Sequence, residues 1–335
     1  MYQFNWKNKK VLVTGAGGFI ASHLTEELVK KGAQVTAFVH YNSRNSWGNI
    51  DLLDKNIIKN LSVISGDITD PFMMKKTIKG NNIVFHLAAL IPIPYSYVAP
   101  ENYVNINIKG TLNVLEACRE DVERMIHTST SETYGTARFV PINETHPLQA
   151  QSPYSATKIA ADKLAESYYL SFGLPVSTVR PFNTYGERQS LRAVIPTIIS
   201  QLLWHDGVLK LGSTTPIRDM LYVKDTAKGF IKIAESKKTI GEVTNIGTGV
   251  GVSIKQIIDM ACKIMGKKLG SIKIITDQKR VRPGKSEVLK LICDNSKARK
   301  LAGWKPEFTL EQGLTRVIDY MKETKHLYKS DIYNI

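Results

Sequence analysis

The 335-residue chain carries 45 Lys and Arg against 30 Asp and Glu, a formal net charge of +15, with 43% hydrophobic and 22% charged residues. That balance suits a globular protein able to bury a sizeable core, as one large domain or two unequal ones, and no apolar run approaches the length of a membrane span. Cys118, Cys262 and Cys293 are too few and too scattered for a disulfide framework or a metal site, so a cytoplasmic protein with reduced cysteines and no metal is expected.

The N-terminal MYQFNWKNKK leads directly towards a strand rather than into a signal peptide's apolar segment. Lysines are spread along the chain instead of forming a stripe with interleaved aromatic residues. An anionic small-molecule site is therefore expected in place of a nucleic-acid partner.

A strand over Lys10–Thr14 runs into a helix from about Phe19 to Lys31. Between them Gly15, Gly18 and Ala21 form a GxxGxxA turn, where the backbone can approach a pyrophosphate resting on the helix N-terminus. Phe19 and Ile20 are counted among the cofactor contacts. The second strand, Gln34–Val39, ends in His40, Asn42, Ser43 and Arg44 with no acidic residue for a ribose 2′-hydroxyl. That set suits a 2′-phosphate and favours NADP over NAD, unless Arg44 is only a loop residue.

The third strand, Leu61–Ile64, is followed by Asp67 and Ile68, of which Asp67 either accepts from the adenine amino group or caps its loop. The fourth, Asn82–Leu87, is followed by Ala88 and Ala89, and small side chains after Leu87 leave room for a nicotinamide. In IPIPYSYVAP the prolines at 92, 94 and 100 favour a stiff, extended segment. Ser96 within it either faces the ligand or belongs to a structural loop.

A helical stretch from Tyr103 to Arg119 precedes a strand around Arg124–Thr128, and that strand ends in HTSTSETYG, with Glu132 set among hydroxyls. The helix Tyr154–Phe172 carries Tyr154 and Lys158 four residues apart, hence on one face. An ammonium beside a phenol stabilises the phenolate and lets it exchange protons near neutral pH. Pro175–Val179 is a further strand. Strand and helix in alternation argue for an α/β, doubly wound parallel sheet, with ligands outside the carboxyl ends of its strands. After Arg180 the pattern turns irregular, as expected of a smaller mixed α/β substrate domain. The expected division is 1–180, with 221–250 returning to it, against 181–220 and 251–335.

The segments TGAGGFIASHL, GDITD, FHLAA, STSETYG, PYSATK, RPFNTYG, IRDMLYVKD, NIGTG and RPGKSEV resemble the extended short-chain dehydrogenase/reductase family of nucleotide-sugar epimerases, dehydratases and decarboxylases. The longer stretches FVHYNSRNSWG, AALIPIPYSYVAPENYVNINIKGTLNVLEA and RPFNTYGERQSLRAVIPTIISQLL resemble the bacterial 4,6-dehydratases of the legionaminic acid pathway, which act on GDP-N-acetylglucosamine. The resemblance implies a Rossmann-type fold, a tightly bound nicotinamide cofactor and a homodimer.

For the site, it implies that Tyr154, with Lys158, takes the O4 proton while Thr130 bonds O4. Dehydratases of this family carry Thr-Asp-Glu or Thr-Ser-Glu at the strand end, and this chain has Thr130, Ser131 and Glu132. Without the Asp, Glu132 is expected to serve as both base and acid, with Ser131 assisting through a hydrogen bond or a water. Asn183 and Arg218 match residues that reach the diphosphate, as does either Arg280 or Arg282. Gln189 and Arg192 are further candidates, and a surface ion pair is an equal reading of Arg192. The rival activities are a UDP-glucuronate decarboxylase, a C4 epimerase, and a nucleotide-sensing or nucleic-acid-binding protein without catalysis.

Overall fold

The computed structural model describes residues 4–205, 207–268, 272–330 and 332. Its strands are β1 (Lys10–Thr14), β2 (Gln34–His40), β3 (Leu61–Gly66), β4 (Ile83–His86), β5 (Arg124–Thr128), β6 (Val176–Pro181), β7 (Asn183–Tyr185), β8 (Val208–Leu211), β9 (Ile217–Tyr222), β10 (Val243–Ile246), β11 (Gly251–Ser253), β12 (Lys273–Thr276) and β13 (Lys290–Leu291). The helices in the first half are α1 (Phe19–Lys30), α2 (Lys55–Ile58), α3 (Pro71–Ile78), α4 (Ile93–Val98), α5 (Pro100–Tyr103) and α6 (Thr111–Cys118). Then follow α7 (Pro153–Phe172), α8 (Val194–Trp204), α9 (Val223–Glu235), α10 (Ile254–Ile264), α11 (Ser296–Ala302) and α12 (Leu310–Glu323).

Seven strands form one sheet in the order β3-β2-β1-β4-β5-β6-β10, and every neighbouring pair is parallel. β1, β4 and β6 are buried almost throughout, as strands covered on both faces must be. After β1 the chain builds β2 and β3 on one side and then crosses to β4 on the other. The crevice between the ends of β1 and β4 is the switch point where such sheets take ligands.

α7 is delimited by local chemistry. Ser152 and Ser155 form a reciprocal capping box with Pro153 at the first position, and Gly173 ends the helix at φ 67°. This fixes which residues of the helix face β5.

The stretch expected as one helix over 103–119 is divided in three: α5, a π-helical turn over Val104–Gly110, and α6. The wider turn lets the Asn107 side chain reach the loop after β4. It accepts from Leu90 N–H (2.8 Å) and donates to the Leu90 carbonyl (3.0 Å) and to Thr157 Oγ1 (3.1 Å). Such turns cluster at functional sites.

The second lobe is organised around β9, which pairs antiparallel with β11 and parallel with β13 and β7, while β8 and β12 pair separately. Ile198, Leu202, Leu209, Ile257, Leu314 and Val317 form its own core. β10 lies at the edge of the main sheet, and α9 contributes Phe230, Ile231 and Ile233 to the core beneath α1. The segment 296–304, expected in the second lobe, also packs on this core through Ala298 and Trp304. The indole Nε1 of Trp304 donates to the Asp225 carbonyl (3.1 Å), which satisfies its polar edge. Among the described residues, no helix is long and apolar enough to cross a membrane.

Candidate active site

Gly15 ends β1 at φ 69°, and a Cβ there would meet Ala88 Cα and N at 2.8 Å. The first turn therefore lies against the loop after β4, as close backbone approach requires. A Cβ at Gly17 would stand 2.6 Å from the Trp47 carbonyl oxygen. The N–H of Gly18 donates to the Gly15 carbonyl (2.8 Å), and Gly18 caps α1 with no side-chain acceptor over the helix N-terminus. Small residues on every side and free N–H groups at a helix start fit a pyrophosphate.

Thr14 Oγ1 holds the facing loop, bonding His86 Nδ1 (2.8 Å) and accepting from the N–H groups of Leu87 and Ala88, both at 3.2 Å. Leu87, Ala88 and Ala89 stay partly accessible beside Phe19 and Ile20 at the start of α1.

His40 at the end of β2, and Asn42, Ser43 and Arg44 after it, are all exposed. Asn42 is committed to its own loop: its amide donates to the carbonyls of His40 (3.2 Å) and Ser46 (2.8 Å), and its oxygen accepts from Arg44 N–H (3.0 Å). Arg44 and Ser43 are thereby presented on an ordered turn. Asp67 follows β3 and accepts from both N–H and Oγ1 of Thr69 at 2.8 Å. Ile68 beside it is buried against Gly110.

The end of β5 leads into Thr130, Ser131 and Glu132. Thr130 Oγ1 accepts from Glu132 N–H (3.2 Å) and starts a 3-10 turn over Ser131–Tyr134, in which Thr130, Ser131 and Glu132 are all buried. Across from it, Tyr154 is buried near the start of α7. Burial pushes its phenol well above the ordinary range; the hydrogen bond with the Thr130 side chain opposes this, and the Glu132 charge adds to it. Lys158 Nζ donates to the Thr128 carbonyl (2.6 Å), and burial brings its ammonium down to about 8 against the favourable field of Asp162.

Beneath these groups is a network that our reading of the sequence did not include. Asp162 Oδ2 accepts from Ser129 Oγ (2.6 Å), Arg180 Nη2 (2.8 Å) and Arg180 Nε (3.1 Å), while Oδ1 meets His127 Nε2 at 3.1 Å. Burial lowers the pKa of His127 against the opposing hydrogen bond and charge of Asp162, and its Nδ1 is left unpartnered. Arg180 Nη1 in turn donates to the Tyr134 hydroxyl (3.0 Å), which donates to Asn245 Oδ1 (2.8 Å). The i+4 spacing 154–158–162 is the signal that could have singled out Asp162.

Arg218, on β9, approaches from the second lobe. Burial lowers its pKa, and Glu132 is the strongest charge holding it up. Its Nη2 donates to Glu287 Oε1 (3.1 Å), and Arg282 Nη1 stands 3.9 Å from the same oxygen. Arg280 instead pairs with Asp277 (3.1 Å) in its own turn. Asn183 Oδ1 and Gln189 Oε1 are buried without a hydrogen-bond partner. Arg192 is exposed but close enough to influence Tyr103, whose ring packs edge-on to Tyr154 at 6.2 Å.

Ser96 does not join this group. It is fully buried within α4 and its hydroxyl donates to the Ile93 carbonyl (2.7 Å), so it offers no surface to a sugar. Prolines at helix starts made IPIPYSYVAP helical over Ile93–Val98, where an extended wall was expected.

The sequence pattern of the GDP-mannose 4,6 dehydratase family matches residues 12–317. The UDP-glucuronate 4-epimerase of Thermodesulfobacterium geofontis is 33% identical over 329 residues, covering 95% of this chain and 98% of that protein. The dTDP-glucose 4,6-dehydratase of Xanthomonas campestris is 30% identical over 334 residues, 92% of each. Among solved structures, the UDP-glucuronic acid 4-epimerase of Bacillus cereus, in complex with UDP-glucuronic acid and NAD, superimposes with a TM-score of 0.82 at 32% identity. That match covers 94% of this chain and 99% of the other.

Proposed function

Because the chain belongs to the GDP-mannose 4,6-dehydratase family, within the extended short-chain dehydrogenases/reductases, we propose that it is a nucleotide-sugar 4,6-dehydratase acting on GDP-N-acetylglucosamine. One observation carries the choice of reaction: Glu132 is a buried carboxylate two residues from Thr130, close enough for its charge to act on both Tyr154 and Arg218. Epimerisation at C4 has no use for such a group. A buried carboxylate is costly to keep unless it is used or paired.

A bound nicotinamide dinucleotide supplies the hydride acceptor for C4 and the donor for C6. Tyr154 takes the O4 proton, with Thr130 hydrogen-bonded to O4 and Lys158 stabilising the phenolate. Once C4 is a ketone, the C5 proton is acidic. Glu132 removes it and passes it to the C6 hydroxyl, which leaves as water; as hydride returns to C6, Glu132, reprotonated from solvent, gives C5 a proton, so that the atoms balance. Ser131 supports Glu132 through a hydrogen bond or a water. The product is a 4-keto-6-deoxy sugar nucleotide.

Gly15, Gly18, Phe19, Ile20, Leu87, Ala88 and Ala89 would hold the cofactor, with Asp67 and Ile68 near the adenine. NADP is favoured by the absence of an acidic side chain after β2 and the exposed His40, Ser43 and Arg44 there. Mass spectrometry of nucleotide released from the purified protein distinguishes it from NAD.

Arg218, Arg282 and Asn183 would hold the diphosphate, with Gln189 and Arg192 at the margin. Arg282 is preferred over Arg280 because Arg280 is engaged by Asp277. A homodimer through the helices 103–119 and 154–172 is supported by exposed Val104 (47%), Leu170 (73%) and Phe172 (52%). The second reading, a C4 epimerase, is favoured by the identity to the bacterial UDP-glucuronate 4-epimerase.

Glu132→Gln tests the assignment. It is expected to abolish exchange of the C5 proton with solvent deuterium, a loss of roughly a hundredfold or more in turnover, while the cofactor stays bound. Undiminished exchange in this variant would remove Glu132 from the mechanism.

A further inference from the structure

Residues 282–290 cross from the second lobe onto the nucleotide-binding lobe, and a set of hydrogen bonds straps them down. Ser286 Oγ donates to the Gln151 carbonyl (2.5 Å) and shares a bond of 2.5 Å with the Tyr97 hydroxyl. Gln151 Nε2 donates to the Lys285 carbonyl (2.9 Å), and Ala137 N–H to the Lys290 carbonyl (3.4 Å). Gln151 lies just before α7, and its Oε1 also accepts from Thr136 N–H (2.5 Å), just past the turn that carries Glu132.

The strap directs Glu287 inward. Its Oε1 lies 3.1 Å from Arg218 Nη2 and 3.9 Å from Arg282 Nη1, with the side chain only 18% exposed. Arg282 Nη1 is itself buried without a hydrogen-bond partner. A carboxylate and a phosphate offer guanidinium groups the same planar pair of oxygens. The carboxylate therefore sits where one phosphate of a diphosphate would be gripped, and it carries the same single negative charge as one phosphate of a nucleotide sugar.

We propose that Glu287 is an intramolecular competitor for the diphosphate subsite. It keeps Arg218 and Arg282 fixed in a ready fork, and it is displaced when a nucleoside diphosphate group enters. The proposal rests on the reading of Arg218 and Arg282 as phosphate-binding residues. Its energetic signature separates it from a plain structural ion pair. Removing the charge leaves two arginines facing each other, which destabilises the free protein, yet it frees both for the ligand.

The test uses the full-length protein, wild type against Glu287→Gln and Arg218→Gln. Thermal midpoints of the free proteins and affinities for GDP and UDP by titration calorimetry are the readouts. Glu287→Gln is expected to lower the midpoint while tightening both nucleotides about fivefold. Arg218→Gln is expected to weaken them roughly tenfold or more. Weaker binding in Arg218→Gln, with unchanged or weaker binding in Glu287→Gln, overturns the competitor and leaves the phosphate assignment standing. Wild-type affinity in Arg218→Gln overturns the phosphate assignment, and the competitor falls with it.

Discussion

Asp162 lies one turn beyond Lys158 on α7, almost fully buried, and accepts from Ser129, His127 and Arg180. Burial pushes its carboxyl up, but the His127 hydrogen bond and the Arg180 charge outweigh it and hold the group at about 2. A carboxyl with a lower pKa folded than unfolded binds fewer protons in the fold. Its stabilisation is complete above the unfolded value of about 4 and is lost as pH falls through about 2. Asp162→Asn leaves Arg180 buried without its counter-charge, and about 3 kcal/mol of stability at neutral pH should go with it. Thermal midpoints followed downward from pH 5 should fall less steeply in the variant than in the wild type. A parallel fall in both would mean that Asp162 titrates alike folded and unfolded. Glu132 belongs to the same scale: its neighbour Arg218 is eighty-six positions along the chain and on the other lobe, so from sequence the carboxylate looks unneutralised.

At the scale of elements, the π-helical turn at Val104–Gly110 works through Asn107, which satisfies both backbone groups of Leu90 and ties the loop after β4 to α7 through Thr157. Asn107→Ala strips those groups of their partners, and urea denaturation should register a loss of about 2 kcal/mol. A loss within a few tenths would mean that the loop is held by Thr14 alone.

Six of the seven strands of the main sheet were legible, β1 and β4 as short apolar runs and β6 by its β-branched Val176, Thr178 and Val179, whereas β10 was not. α7 was legible from its Ser-Pro start and glycine end. The π turn was not, since its apolar positions read equally well as an α-helix. The strands of the second lobe were not legible either. β7, β11 and β13 have two or three residues each, too few for alternation to show, and they exist because β9 offers them a ladder. Of the site, Tyr154, Lys158 and Glu132 could be read from local spacing and resemblance. Ser96 could not, because only the helical winding of IPIPYSYVAP turns its hydroxyl onto Ile93.

For the whole molecule, residues from both lobes act on one another: the Glu132 charge reaches Tyr154 on α7 and Arg218 on β9. The main sheet brings the glycine turn, Glu132, Tyr154 and Lys158 to the carboxyl ends of β1, β5 and the start of α7. The second lobe brings Arg218 on β9 and Arg282 on the strap. An excess of positive charge over the chain, +15 in all, raises the local concentration of a dianionic ligand. The reaction proposed for these residues is removal of water from a nucleotide sugar. Purified protein incubated with GDP-N-acetylglucosamine in deuterated water, with the nucleotide product analysed by mass spectrometry, tests it most directly. The expected product has lost one water and gained one deuterium at C5. A product of unchanged elemental composition, inverted at C4 and free of deuterium, would contradict the dehydratase and establish the epimerase.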